Sequence, residues 1–300
     1  MFSAKKKISV IIPSRDEGQE PFNTVKSLFE CCKPSQVDVI VVDDSWLNQD
    51  WSKMPKSVKV VRTDRLKGFP QAIERGIQEA KHENLFITGA RTRFTEGFVD
   101  KSIEALKIPG MYCGVSAILR YDQTDMEKAE GHYYGARIKY HSGGEDSEGA
   151  KWMGWILNYG NREIPEALEC LYGGHYVTTK TWWNHIHGLR GILTRGGCNQ
   201  FLSLKTRAAG GNLALIEDMI IGNIYRDRTS YPVSDYEPLF NRAFIMAVLF
   251  GYNTGRRVVE SYRGYPQYQS IRITYDRLMG ITAQERHYHI SIRKNRIKFN

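Results

Sequence analysis

Three hundred residues accommodate one large domain or two small ones. With 42 Lys+Arg against 33 Asp+Glu the net charge is +9, and the 41% hydrophobic and 25% charged residues supply ample core material. This balance excludes a mostly disordered chain, a collagen and a coiled coil, and no apolar run approaches the ~20 residues that a membrane span needs. Met1 to Lys7 runs straight into a strand pattern without the apolar stretch and cleavage site of a signal peptide. Cys31, Cys32, Cys113, Cys170 and Cys198 contain no C-x-x-C pair. Together these features predict a cytoplasmic protein with reduced thiols. The surplus of positive charge suits an anionic partner (nucleic acid, a nucleotide or an anionic membrane surface) and equally suits solubility alone.

The first 120 residues alternate strand and helix patterns. Ile8–Ile12 is a β-branched run closed by Pro13, which reads as a buried strand. Phe22, Val25, Leu28 and Phe29 are spaced for a helix ending near Cys32. Strands follow at Val37–Val42 and Val58–Val61, then a helix over Pro70–Ala80 with proline in its first turn. Leu85–Thr88 is a fourth strand, Phe98–Leu106 a helix and Cys113–Leu119 a fifth strand. This order predicts an α/β fold with a doubly wound, mainly parallel sheet.

The second half is less regular. Residues 121–150 are polar and include His141-Ser-Gly-Gly-Glu-Asp-Ser-Glu-Gly149, which reads as a long loop. Residues 151–211 are rich in aromatics and glycine without a clear period. Helical spacing returns over Ile216–Tyr225 and again from Phe240 to Val248. His287–Ile292 alternates, and the basic tail Arg293, Lys294, Arg296 and Lys298 follows. With no repeat and no linker composition, we expect one domain over 1–300, with 1–120 as a nucleotide-binding half and 121–300 as a decorated second half.

Ligands of open α/β sheets bind beyond the carboxyl ends of the strands. Strand one leads into Pro13-Ser14-Arg15-Asp16-Glu17-Gly18. A dinucleotide fold would place G-x-G-x-x-G there, and two carboxylates in that turn oppose a pyrophosphate. Strand two ends in Asp43-Asp44, where a carboxylate can accept from a ribose hydroxyl or a base N–H, or can simply shape the turn.

In order along the chain, Val10-Ile-Ile-Pro-Ser-Arg-Asp-Glu17, Val39-Ile-Val-Val-Asp-Asp-Ser45 and Gly68-x7-Gly76-Ile77 resemble the family 2 glycosyltransferases of the GT-A fold. Val58-Lys-Val-Val-Arg-Thr-Asp-Arg-Leu-Lys-Gly68 is similar to the polypeptide N-acetylgalactosaminyltransferase branch. The pairs Gly196-Gly197 and Gly210-Gly211, followed by Glu217-Asp218, are similar to the family's acceptor-side glycines and its "ED" element. The resemblance covers roughly residues 7–107 and 191–227. It implies a nucleotide-sugar donor, foremost a UDP-sugar. Pro13, Ser14, Arg15, Asp16 and Glu17 would border the base, and Asp43 and Asp44 would contact base or ribose. Arg62, Arg65, Lys67 and Gly68 would lie beside the donor. Glu217 or Asp218 would take the proton from the acceptor hydroxyl as it attacks, a role any hydroxyl nucleophile requires. An acidic first turn of a helix is the structural alternative for that pair.

The sequence departs from the family at the fourth strand. D-x-D, which would hold Mn²⁺ or Mg²⁺ on the donor diphosphate, is replaced by Thr88-Gly89-Ala90-Arg91-Thr92-Arg93. Bidentate arginine also neutralises a leaving diphosphate. Arg91, with Arg93, is therefore the candidate substitute for the metal; a degenerate enzyme that binds without transferring is the alternative. Two H-x-H pairs, His287/His289 and His185/His187, are the remaining weak metal candidates, because alternation on a strand would put both rings on one face. For the acceptor, net charge +9, the basic tail and the aromatic cluster Trp152, Trp155, Tyr172, Trp182 and Trp183 suit DNA bearing a hydroxymethyl pyrimidine, with phosphates on the basic residues and an extruded base on the aromatics. A glycan or glycolipid on the cytosolic side is the other expectation, with those aromatics as a sugar platform or core.

Overall fold

The computed structural model describes residues 7–46, 48–64, 67–121, 129–142, 151–159, 168–171, 173–224 and 234–294; over 116–121, 129–142 and 151–159 the description is of backbone. The first half follows the pattern read from the sequence. Strand β1 (Ile8–Ser14), helix α1 (Glu20–Cys31), β2 (Val37–Asp43), β3 (Val58–Arg62), α2 (Phe69–Glu79), β4 (Asn84–Ile87), the short β5 (Thr92–Arg93), α3 (Phe98–Ala105) and β6 (Met111–Tyr121) succeed one another. After them come β7 (Ala129–Ser142), β8 (Lys151–Tyr159), β9 (Tyr176–Thr179), α4 (Lys180–His185), α5 (Cys198–Ala208) and β10 (Asn212–Ile224). Helices α6 (Tyr236–Phe250), α7 (Tyr252–Glu260), α8 (Tyr268–Arg277) and α9 (Met279–Ser291) complete the described chain.

One sheet runs through both halves in the order β3-β2-β1-β4-β9-β6-β10-β5, with β7 on β6 and β8 on β7. Strands β1 to β4 are mutually parallel, and β10 is parallel to β6. Strand β9 runs against both β4 and β6, so β6 and β10 again point the same way as β1. The expected mainly parallel α/β sheet is present, and the carboxyl ends of β1, β2, β4 and β10 share one edge. Every residue of β1 is buried, as a central strand requires. Pro13 is tolerated there because the ladder to β4 ends at the Ile11–Ile87 pair, so its missing N–H faces no partner strand.

Two apolar layers cover the sheet. One contains Val25, Leu28, Phe86, Phe94 and Phe98 beneath α1 and α3. The other joins α2, Trp183, Phe201 and α6. From Ala243 to Leu249 every residue of α6 is apolar and buried, which suits a helix segment enclosed on all sides. Among the described residues no helix is long and apolar enough to cross a membrane, and all five cysteines are free thiols.

Three sequence expectations are corrected. Ile216–Tyr225 is not a helix: through Ile224 it belongs to β10, paired with β6 from Asn212–Met111 to Ile224–Tyr121. Its isoleucines fit either period, and the neighbouring strand decides in favour of the pleat. The 121–150 region is not one long loop, because β7 occupies 129–142 and pairs His141 with Trp152 of β8; 122–128 and 143–150 lie outside the described residues. His287–His289 does not alternate on a strand. Both lie in α9, where two residues apart means nearly opposite faces: His287 is exposed and His289 buried.

Glu285, also on α9, is buried beneath Arg190 (Nε 3.1 Å), His187 (Nδ1 3.3 Å) and His289 (Nε2 3.7 Å). Lys205 is buried nearby and donates to the carbonyls of Gly188 (2.7 Å) and His187 (3.2 Å). Burial lowers Lys205 to about 7, with Glu285 and Glu74 opposing that shift. Burial also lowers His289 to about 4, with the nearby Glu285 carboxylate opposing that shift. This cluster ties α9 to the α4–α5 connection. His187 is stacked on Tyr288 within it and is not paired with His185 as a metal ligand.

Candidate functional site

At the shared edge, the segments after β1 and β2 are bound together. Asp44, 3% exposed, accepts from Thr63 Oγ1 (2.7 Å), the amides of Lys67 (2.7 Å) and Gly68 (2.9 Å), and Arg15 Nε (3.0 Å). Arg15 Nη2 makes a further ion pair with it. Its carboxylate thus joins the ends of β1, β2 and β3 to the start of α2. Asp43 shapes the turn, accepting from Ser45 N (3.1 Å) and Trp51 Nε1 (2.9 Å). Asp16, at φ +51°, donates its amide to Ser45 Oγ (2.9 Å). Ser14 is buried with an unpartnered Oγ. Arg62 donates to Asn48 Oδ1 (2.6 Å). With Thr63, Lys67, Gln71 and Arg75 it lines a cleft of about 290 Å³ against α2, near the lower limit for small-molecule sites. Arg65 lies outside the described residues.

Gly68 has φ +94°, and a Cβ there would come within 2.4 Å of Thr194 Cα, so only glycine fits. This contact, with the Phe69 N–Thr194 O bond (3.0 Å), presses the 192–197 segment onto the loop that Asp44 holds. Asn241 of α6 secures the other side, donating to the carbonyls of Arg195 (2.8 Å) and Gly196 (2.9 Å). Gly196 and Gly197 thus lie next to the Lys67–Gly68 loop.

At the end of β4, threonines make the turn. Thr88 Oγ1 is 2.7 Å from both Thr92 Oγ1 and His175 Nδ1. Thr24 Oγ1 donates to Ala90 O (2.8 Å) and accepts from Thr92 N (3.0 Å). The space where a Gly89 side chain would point is open. Arg91 Nε donates to Glu17 Oε2 (2.6 Å), and its buried Nη1 has no partner. Arg93 is held by Glu20 Oε2 (2.9 Å) and by Thr92 O (3.1 Å). Glu17 is therefore charge-paired, which removes the repulsion expected from its turn.

The described residues at this edge do not fit a divalent ion. Glu17 and Glu20 are each committed to an arginine, Asp44 already has its full set of donors, and the charged side chains that follow β4 are the guanidinium groups of Arg91 and Arg93. Among the described residues no three His, Cys, Asp or Glu side chains are grouped to hold a metal.

Other candidate residues are not brought to this edge. Glu217 and Asp218 form an exposed bulge in β10, where Asp218 has φ +54° and its carbonyl accepts from Lys101 Nζ (2.6 Å). From Asp218 to Ile224, whose amide meets Arg91 O, is roughly 15–20 Å of strand at ~3.3 Å per residue. Gly210 and Gly211 precede β10, at the opposite end of the sheet, packed against Lys294 and Trp182. Trp182 follows β9 at that same end, and Trp183 is core, 1% exposed with Nε1 on Glu74 (3.0 Å). Their position follows from β9 running antiparallel, which reverses the end at which α4 begins. Tyr172 and the side chains of Trp152 and Trp155 lie outside the description. Sequence reasoning missed His175, Thr194 and Gln200; the Gly173-Gly174 pair before His175 was the available signal for the first.

Burial lowers His175, like His289, to about 4. The unfolded chain protonates these rings near their ordinary pKa of 6.5. Their neutral forms thus support folding above pH 6.5, and that support is lost as pH falls toward 4. Urea unfolding should show stability falling through this window by at most about 1.4 kcal/mol per pH unit for each ring. A His289→Phe variant should show a shallower slope, and an unchanged slope would count against the assignment.

Residues 9–155 match glycosyl transferase family 2. Over 106 residues the chain is 28% identical to a dolichol-phosphate mannosyltransferase of Pyrococcus furiosus, covering 34% of this chain and 30% of that protein. Its structure is similar to that of GalNAc-T7 with UDP, GalNAc and Mn²⁺, at TM-score 0.69 and 18% identity over 96% of this chain and 55% of that one. A mannosyltransferase from Pyrobaculum calidifontis, with GDP-Man and Mn²⁺, gives TM-score 0.48 and 14% identity over 97% and 86% of the two chains. The chain thus spans about a third of the curated relative and about half of the GalNAc-T7 structure. It has the GT-A fold, and its first half is similar to family 2 glycosyltransferases.

Proposed function

We propose that the protein moves a sugar from a nucleotide-sugar donor, foremost a UDP-sugar, to an acceptor hydroxyl, and that Arg91 takes the part of a divalent ion. The UDP present in the GalNAc-T7 structure favours that nucleotide. The observation that carries the reading is Arg91 at the end of β4. Glu17 fixes its Nε and leaves a desolvated Nη1 without a partner. In the transfer the acceptor oxygen bonds to the anomeric carbon, the bond to the diphosphate breaks, and negative charge grows on the leaving group. A fixed guanidinium in a partly desolvated site stabilises that charge. The acceptor proton goes to a base that the described residues do not identify, because Glu217 and Asp218 stand apart on β10.

For the acceptor we infer DNA bearing 5-hydroxymethyl pyrimidines. The net charge of +9 supports this. The test is transfer from a UDP-sugar panel to hydroxymethylated and unmodified DNA, with and without EDTA, read by nucleoside mass spectrometry. Sugar should appear only on the hydroxymethylated template and should persist in EDTA. Strict Mn²⁺ dependence would overturn the role of Arg91. Donor hydrolysis without DNA product would shift the acceptor to a glycan or lipid. Donor binding without turnover of any kind would mark a retired enzyme.

A further inference from the structure

Helix α5 leads from the catalytic edge toward the opposite end, where Gly210 and Gly211 turn the chain into β10. Its amino terminus therefore faces the same edge as Asp44 and Arg91. A cavity of about 220 Å³ opens there, lined by Arg195, Gly197, Gln200 and Arg242, with Pro238 and Ile245 as its apolar wall. None of its lining residues is acidic. Helix α5 starts after Gly197 (φ +80°) without a side-chain cap, leaving its first-turn amides as donors. Gln200 is 3% exposed, and its Oε1 has no hydrogen-bond partner. Arg195 is exposed at the rim and has no ion-pair partner among the described residues.

These groups specify a ligand in two parts. Two guanidinium groups and a helix amino terminus call for an anion of phosphate geometry. A buried carbonyl oxygen without a donor calls for a hydroxyl. We propose that this cavity is the acceptor's anchoring site, and that it seats a phosphate ester lying next to the hydroxyl that receives the sugar. This rests on the transfer reading above and narrows it to a phosphate-bearing acceptor.

The test is calorimetric titration of the full chain with inorganic phosphate at saturating UDP, so that the donor's own phosphate positions are filled. Phosphate should bind the wild type, and Arg195→Ala and Arg242→Ala should each weaken it about tenfold or more. Arg272→Ala, on exposed α8, should leave it unchanged. Absence of phosphate binding to the wild type, or equal weakening by all three variants, would overturn the site. UDP binding is measured separately. If UDP fails to bind, the donor reading fails; if UDP binds normally while phosphate binding ignores Arg195 and Arg242, this inference alone fails. Displacement of phosphate by a short hydroxymethylated oligonucleotide would support the site with a nucleic-acid source. Displacement by phosphatidylglycerol vesicles alone would support it with a lipid headgroup.

Discussion

Arg91→Ala should lower turnover by about 10²- to 10³-fold, the usual loss when one preorganised donor to a developing negative charge is removed. Binding of UDP-sugar should weaken far less, because the charge that Arg91 meets grows mainly as the diphosphate leaves. Arg91→Lys should recover only part of the loss: an ammonium restores the charge but lacks the planar fork that reaches Glu17 and the leaving group together. The pairing with Glu17 explains how an arginine stays ordered at the end of β4. The Nε–Oε2 bond of 2.6 Å sets the plane of the guanidinium and leaves Nη1 for a ligand. Glu17→Gln should therefore lower kcat more than KM, through a loosened Arg91. An Arg91→Ala enzyme with wild-type turnover in EDTA would remove Arg91 from the chemistry.

How much of this was legible in the sequence depended on range. The apolar runs of β1 and β2 marked both strands and their carboxyl ends, because a strand's burial and its end are local properties. The partners were not legible. Arg15 finds Asp44 across 29 residues, and Arg91 finds Glu17 across 74, and nothing local encodes either pairing. Ile216–Ile224 failed differently. Its isoleucines satisfy both a helical and a pleated reading, and the choice was made by β6, elsewhere in the chain. Trp182 and Trp183 suit a ligand platform or plain core by composition; the antiparallel course of β9 carries both to the far end, where Trp183 is core and Trp182 half-buried. Gly196-Gly197 was legible as a pair, whereas Gln200 was not, since its interest lies in an unmet hydrogen bond.

Asp44→Ala should damage both the fold of this carboxyl edge and nucleotide affinity. Asp44 was read from the sequence as a direct nucleoside contact or a turn residue. In the structure its two oxygens already accept from Thr63, Lys67, Gly68 and Arg15. Removing the carboxylate leaves the Arg15 guanidinium, whose side chain is 18% exposed, without this counter-charge, and deprives two amides of their acceptor. Loss of one member of a buried ion pair costs about 3–5 kcal/mol, a large share of the ~5–15 kcal/mol that holds a typical domain together. For a chain of this size the melting temperature should fall by roughly 5–10 °C. The Lys67–Gly68 loop would detach, and with it the Gly68–Thr194 contact that aligns the 192–197 segment, so UDP affinity should drop at least about tenfold. Thr63→Val separates the two roles, because it removes a single donor to Asp44 and leaves the carboxylate in place. If Asp44 acts by holding the loop, Thr63→Val should weaken UDP binding in proportion to its smaller loss of stability. If Asp44 acts only on the nucleoside, Thr63→Val should melt earlier while binding UDP normally. An Asp44→Ala protein with unchanged melting temperature and unchanged UDP affinity would exclude both roles.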